Sequence, residues 1–169
     1  MVDLARVIAS VDRSRFKFVL VGAVMAEAEA MAKSLPTDVQ VIGKVPQADL
    51  PKVYTGGDVF LFPTIEDGFA VVLAQAKAAG LPVITTPNCS GPDLIQPDRD
   101  GWIVPIRDAD AMVARLRWCD ANREALARMV EQGGTEIRSR NWTEVAADFE
   151  NIVRARQAAR AQGAFAHAG

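Results

Sequence analysis

The stretch that decides the fold runs over residues 59–93, V-F-L-F-P-T-I-E-D-G-F-A-V-V-L-A-Q-A-K-A-A-G-L-P-V-I-T-T-P-N-C-S-G-P-D. Its first five residues are an apolar, aromatic run closed by proline, which predicts a short buried strand. An acidic, glycine-containing turn follows and leads into apolar residues three and four apart, which predicts a helix over 69–79 ending at Gly80. Pro82 then opens a second strand. A strand, turn, helix and strand in this order form a parallel crossover unit. The free N–H groups of the helix's first turn, and the positive end of its dipole, then lie at the carboxyl edge of the sheet. Such an edge suits an anion. Gly68 lets a ligand approach the backbone closely. Asp67 and Gln75, about two helical turns apart on one face, can both hydrogen-bond to hydroxyls.

The same alternation extends outward. Residues 16–22, 39–43, 59–63, 82–85 and 102–104 are short β-branched or aromatic runs closed by Gly, Pro or Thr, and helical spacing recurs over 2–11, 26–34, 48–54 and 69–79. This predicts an α/β fold with a Rossmann-like parallel sheet sandwiched by helices. After about residue 105 the strands stop. Asp108, Asn122 and Thr143 are each placed to cap a helix, with inner faces Met112, Leu116 and Cys119, then Leu126, Met129 and Val130, then Val145, Phe149, Ile152 and Val153. A helical C-terminal extension is expected, in one domain over 1–161, with a frayed tail over 162–169.

Composition excludes several classes. Half of the 169 residues are hydrophobic, enough for a buried core. The formal charge is -2, with no basic run, so no nucleic-acid footprint is present. No apolar stretch approaches the roughly 20 residues that cross a bilayer, and the first residues do not resemble a signal peptide, so the expected location is cytoplasmic. Cys89 and Cys119 have no histidine near them in sequence, since His167 is the only one, so no metal site is expected.

On these residues the chain resembles the donor-binding, C-terminal half of GT-B-fold, family 4-type retaining glycosyltransferases. Asp67-Gly68-Phe69-Ala70 resembles the family's first acid and its turn, and the run from Gln75 through Gly80 to Val83 resembles the second acid and the helix end. Lys44-Val45-Pro46 after the 39–43 strand, and the stretches at 91–95 and 100–105, agree as well. The likeness covers roughly residues 2–155. It implies that Asp67, as the catalytic acid, and the amides of Gly68, Phe69 and Ala70 lie at the sugar diphosphate. Gln75 would hold the ribose, with Lys44 and Val45 beside the base. Three departures stand out: Asp67 is the shorter acid, Gln75 is neutral, and Ala70 replaces the second turn glycine. Reading Glu66 as the first acid instead would put Ala74 at the second.

The resemblance further implies transfer of a sugar from a nucleoside diphosphate sugar with retention, needing no metal or other cofactor. The implied partners are the nucleotide-sugar donor and an N-terminal acceptor-binding domain that is missing here, together with the Arg/Lys loop that family members carry before the first helix. No nucleic acid is expected, and peripheral membrane contact would come only through the missing domain. The isolated chain is expected to be inactive and prone to self-association. A non-catalytic nucleotide-binding or interaction module of the same fold is the alternative. A receiver domain is disfavoured by the absence of an acidic pair after the first strand, and a dinucleotide-binding domain by the solitary Gly22.

Overall fold

The computed structural model describes residues 1–135 and 141–165. The chain forms two compact units, Met1–Ile137 and Arg138–Gly169, a division inside the 1–161 span read as one domain from sequence. In the first unit, helices α1 (Val2–Ser10), α2 (Ala26–Ser34), α3 (Leu50–Tyr54) and α4 (Val71–Ala78) alternate with strands β1 (Val19–Val21), β2 (Gln40–Ile42), β3 (Phe60–Phe62) and β4 (Val83–Thr85). A short α5 (Gly91–Leu94), not anticipated from sequence, precedes β5 (Gly101–Ile103). Two longer helices follow, α6 (Ala109–Ala121) and α7 (Arg123–Thr135). The pairing is parallel throughout, and it falls into two ladders, β1 with β2 and β3-β4-β5.

The larger ladder is covered on both faces, as its unbroken apolar strands require. Leu61, Ile84 and Trp102 are lateral partners and sit in one cluster with Val7 of α1 and Met112, Val113 and Leu116 of α6. Phe60, Phe62, Val83 and Ile103 face the other way and pack with Leu73 and Ala76 of α4. Leu73, Ile84 and Met112 are fully buried, each contributing about 2 kcal/mol by removal from water. Trp102 also meets Trp118 edge to face at 5.1 Å, and the Arg115 guanidinium lies 5.6 Å from its ring centre.

Two features set where α4 starts and stops. Ala70 adopts left-handed dihedrals (φ 53°, ψ 63°), so the helix begins at Val71 instead of Phe69. At the other end Gly80 (φ 77°) donates to Lys77 O and Leu81 donates to Ala76 O, closing the helix in a Schellman-type stop. Lys77 inside that helix is drawn in from solvent: its ammonium is 2.6 Å from Asp100 Oδ2 and donates to Leu94 O, with the two side chains 15% and 7% exposed. Asp100 Oδ1 accepts from the Gln96 N–H at 2.7 Å. The network ties α4 to the α5–β5 connection.

Cap assignments divide. Asp108 caps α6 as predicted, accepting from Ala111 N at 2.8 Å. Asn122 does not cap α7 with its side chain in the predicted way; its amide donates to Trp118 O at the end of α6. The second unit's helix, α8 (Trp142–Phe165), is capped by Asn141 in place of Thr143. Asn141 Oδ1 accepts from Glu144 N at 3.0 Å while Glu144 Oε2 accepts from Asn141 N at 2.9 Å, a reciprocal capping box. Val145, Phe149, Ile152 and Val153, read as an inner face, are exposed, as is Trp142. Of the tail expected to fray, 162–165 continue α8, and 166–169 lie outside the described residues. Among the described residues, no helix is long and apolar enough to cross a membrane.

Candidate functional site

The site forms where the β3–α4 connection meets the loop after β4, both at the carboxyl edge of the larger ladder. Side chains of the second loop pin the first. Thr85 Oγ1 donates to Phe62 O at 3.2 Å, Thr86 Oγ1 donates to Thr64 O at 2.7 Å, and Asp67 N donates to Asn88 O at 3.0 Å. Both threonines are fully buried, so these bonds hold the acidic turn in place. Within it, Thr64 Oγ1 donates to Glu66 O at 3.0 Å. Ser90 Oγ, beside Cys89 in the same loop, is the one buried side-chain oxygen or nitrogen among the described residues with no hydrogen-bond partner. Nothing in the sequence signalled it.

Asp67 is exposed and stands on the turn, not on the helix. Its Oδ1 accepts from Ala70 N at 2.7 Å. This bond steadies the left-handed Ala70, whose side chain is buried, and gives α4 an anionic group one turn ahead of its first residue. The helical spacing read between Asp67 and Gln75 is therefore replaced by a four-residue loop, residues 67–70, and one turn of helix. The Ala70 amide, expected at a diphosphate, is donated to Asp67. Gly68 has nothing within 4 Å of where a Cβ would stand, so its backbone is open to an approaching group. Phe69 is 58% exposed and is not a core residue.

Gln75 is half-buried on α4, and its Oε1 accepts from the Tyr54 hydroxyl at 3.1 Å. Tyr54 ends α3, packs edge to face on Phe60 at 5.6 Å, and is a site residue that sequence reasoning missed. Burial raises its phenol above the ordinary tyrosine value, so the O–H stays a donor at neutral pH. Oε1 accepts from Tyr54, and the Gln75 amide NH2 makes no hydrogen bond to the described residues. Lys44 and Val45 lie in the loop between β2 and α3, Lys44 exposed and Val45 half-buried. Among the described residues, no hydrogen bond joins either of them to Gln75 or to the 67–70 turn. None of the seven predicted residues lines the 540 Å³ cavity bounded by Arg6, Ser10, Ile106 and Arg107. Among the described residues no group of three metal-ligating side chains is assembled.

Residues 2–122 match the model for glycosyl transferases group 1. The amylovoran biosynthesis glycosyltransferase AmsK of Erwinia amylovora is 30% identical over 113 residues, covering 60% of this chain and 27% of that protein. The chain spans about a quarter of the length of the curated relatives it matches. Among solved structures, the C-terminal domain of the group 1 glycosyl transferase LpcC from Francisella tularensis superposes with a TM-score of 0.67 at 17% identity, over 79% of this chain and 73% of that one. Anabaena HepE in complex with UDP superposes with a TM-score of 0.70 at 17% identity, over 79% and 39%. The fold is the α/β C-terminal half of a GT-B architecture, and the chain belongs to the family of glycosyl transferases group 1.

Proposed function

We propose that the chain is the donor nucleotide-sugar-binding domain of a retaining, family 4-type glycosyltransferase that transfers a sugar from a nucleoside diphosphate sugar to an acceptor. The observation that carries this reading is the β3–turn–α4 unit, in which Asp67, the open backbone at Gly68 and the Tyr54-held Gln75 line one sheet edge. Family membership and the UDP-bound HepE neighbour support it. The diphosphate would approach the Gly68 and Phe69 amides and the start of α4, the donor sugar would meet Asp67, and the ribose hydroxyls would meet Gln75. Lys44 and Val45 would flank the base. N–H groups aimed at charge developing on a leaving diphosphate contribute about 3 kcal/mol each in a water-excluding site. That exclusion, the acceptor and any membrane contact would come from a partner domain, and no metal takes part. The domain would work in the cytoplasm, where nucleotide sugars are drawn on, and the chain alone would be inactive.

A second reading is a non-catalytic module that binds nucleotides without transfer. The Asp67 bond to Ala70 favours it, because that oxygen is already committed within the protein. Calorimetric titration with UDP, GDP and ADP and their sugar conjugates tests the site. Saturable binding that prefers one base and weakens in both Asp67→Ala and Gln75→Ala supports it, and binding unaffected by either substitution removes it. Turnover of a bound donor by a chain joined to an acceptor domain separates enzyme from module.

A further inference from the structure

The acidic turn shares the sheet edge with a second loop, residues 86–90, which leaves β4 and lies against it. Asp67 N donates to Asn88 O at 3.0 Å, so the two backbones touch at these residues. The loop is pinned at several points. Thr86 Oγ1 donates to Thr64 O, and Cys89 Sγ donates to Thr86 O at 3.2 Å while accepting from Gly91 N at 3.4 Å. A Cβ on Gly91 would stand 2.8 Å from the Thr85 methyl, so the loop is packed closely onto the end of β4. Pro87 fixes a further backbone angle, and Asn88 avoids the left-handed region. Asn88 is therefore held in place by its neighbours and by its own carbonyl.

Its side chain is not used in that packing. Asn88 is exposed, and its amide makes no hydrogen bond to the described residues. Cys89 is engaged as above, and Ser90 is 3% exposed with its hydroxyl buried. On the facing turn, Asp67 Oδ1 accepts from Ala70 N, which leaves Oδ2 without a partner among the described residues. Within residues 63–70 and 86–90, Asn88 carries the one side chain with N–H groups. The Thr64 and Thr86 hydroxyls are committed to backbone carbonyls.

We infer that Asn88 is a donor-sugar-binding residue, whose amide NH2 donates to a sugar hydroxyl that itself donates to Asp67. This rests on the donor-site reading proposed above. A hydroxyl has one hydrogen and two lone pairs, so one held by a carboxylate, which only accepts, still needs a donor. Asn88 supplies it from a loop at the carboxyl edge of the sheet, where open α/β sheets place their ligands. Charge selects the same part of the ligand. Asp67 and the adjacent Glu66 make this end of the site negative, which repels a phosphate and admits a neutral, hydroxylated sugar. The diphosphate is left to the Gly68 and Phe69 amides.

Calorimetric titration of the chain with UDP, GDP and ADP, and with UDP-glucose, GDP-mannose and ADP-glucose, gives for each base the ratio of conjugate affinity to free nucleotide affinity. For the base that binds, Asn88→Ala should leave the free nucleotide within about twofold of the parent and lower the ratio about fivefold. Asn88→Asp, which keeps the shape but removes the N–H groups and adds a charge, should lower it further. With Asp67→Ala already present, Asn88→Ala should change the ratio little, because both side chains hold one hydroxyl. Additive losses overturn that shared contact. An equal loss for nucleotide and conjugate, or a lowered urea midpoint in Asn88→Ala, makes Asn88 a support of the loop and overturns the inference. Parent binding with an unchanged ratio in Asn88→Ala removes this inference alone, whereas a parent that binds none of the six ligands removes the donor-site reading with it.

Discussion

Tyr54 Oη donates a hydrogen bond to Gln75 Oε1 across 3.1 Å, tying the end of α3 to the middle of α4. α3 follows the loop that carries Lys44 and Val45, so this bond joins the element after that loop to α4. Gln75→Glu would give Tyr54 a charged acceptor and turn the ligand-facing group from a donor into an acceptor for vicinal hydroxyls. Charge-assisted hydrogen bonds are about twice as strong as neutral ones, so nucleotide affinity should rise about fivefold. Tyr54→Phe should lower affinity in the Gln75 protein by a similar factor. Calorimetric titration of the four combinations reads both effects and their coupling, and additive effects would show that Tyr54 does not act through Gln75.

Ala70 stands at a left-handed position with its side chain buried at the start of α4. A Cβ there costs about 1 kcal/mol, and glycine relieves it while adding freedom to the unfolded chain. Ala70→Gly should therefore stabilise the protein by at most about 0.5 kcal/mol, read as a higher urea midpoint with unchanged slope. A lower midpoint would mean that the alanine methyl contributes more to its cluster with Leu73 and Ala76 than the dihedral strain removes.

Much of this was legible in the sequence, for identifiable reasons. The strands at 59–63 and 82–85 and the helix between them were readable because burial on both faces writes an unbroken apolar run, and Gly80 marks its own left-handed stop. The Asp108 cap was readable from one residue because an N-cap bond is local. The Tyr54 contact with Gln75 and the burial of Lys77 were not, since both depend on partners more than 20 residues away. Ala70 hid the true start of α4, because alanine ordinarily favours a helix and only the Asp67 bond reveals the turn. The split sheet was equally hidden, since short β-branched runs show that strands exist without showing which strands pair.

Lys77 and Asp100 form a pair that is nearly out of water, with side chains 15% and 7% exposed. Lys77→Met fits the methylene volume but leaves the carboxylate with the Gln96 N–H as its hydrogen-bond partner. Breaking a buried pair from one side costs about 3 kcal/mol or more. Adding Asp100→Asn removes the stranded charge while keeping an acceptor for Gln96, and should recover most of that loss, leaving about 1 kcal/mol. Urea unfolding of the two variants checks this. A single variant as stable as the parent would show that the network does not hold α4 to the β5 approach.

Cys119 lies on the buried face of α6, 3% exposed, and burial pushes its thiol from 9.0 up to about 11. The unfolded chain ionises this thiol near 9, while the folded protein holds the proton until about 11. Between those values the unfolded state binds fewer protons than the native state, so stability falls as pH rises through that window. The full fall attributable to this group is about 3 kcal/mol, complete above the folded value. Urea unfolding across the window should show the decline, and Cys119→Ala, though less stable overall, should give a curve flatter by that amount. In the native protein at neutral pH, a thiol reagent should modify the half-buried Cys89 and spare Cys119 until unfolding. Rapid modification of Cys119, or an unchanged slope in the alanine variant, would place this thiol in contact with water and open the packing between α6 and the core.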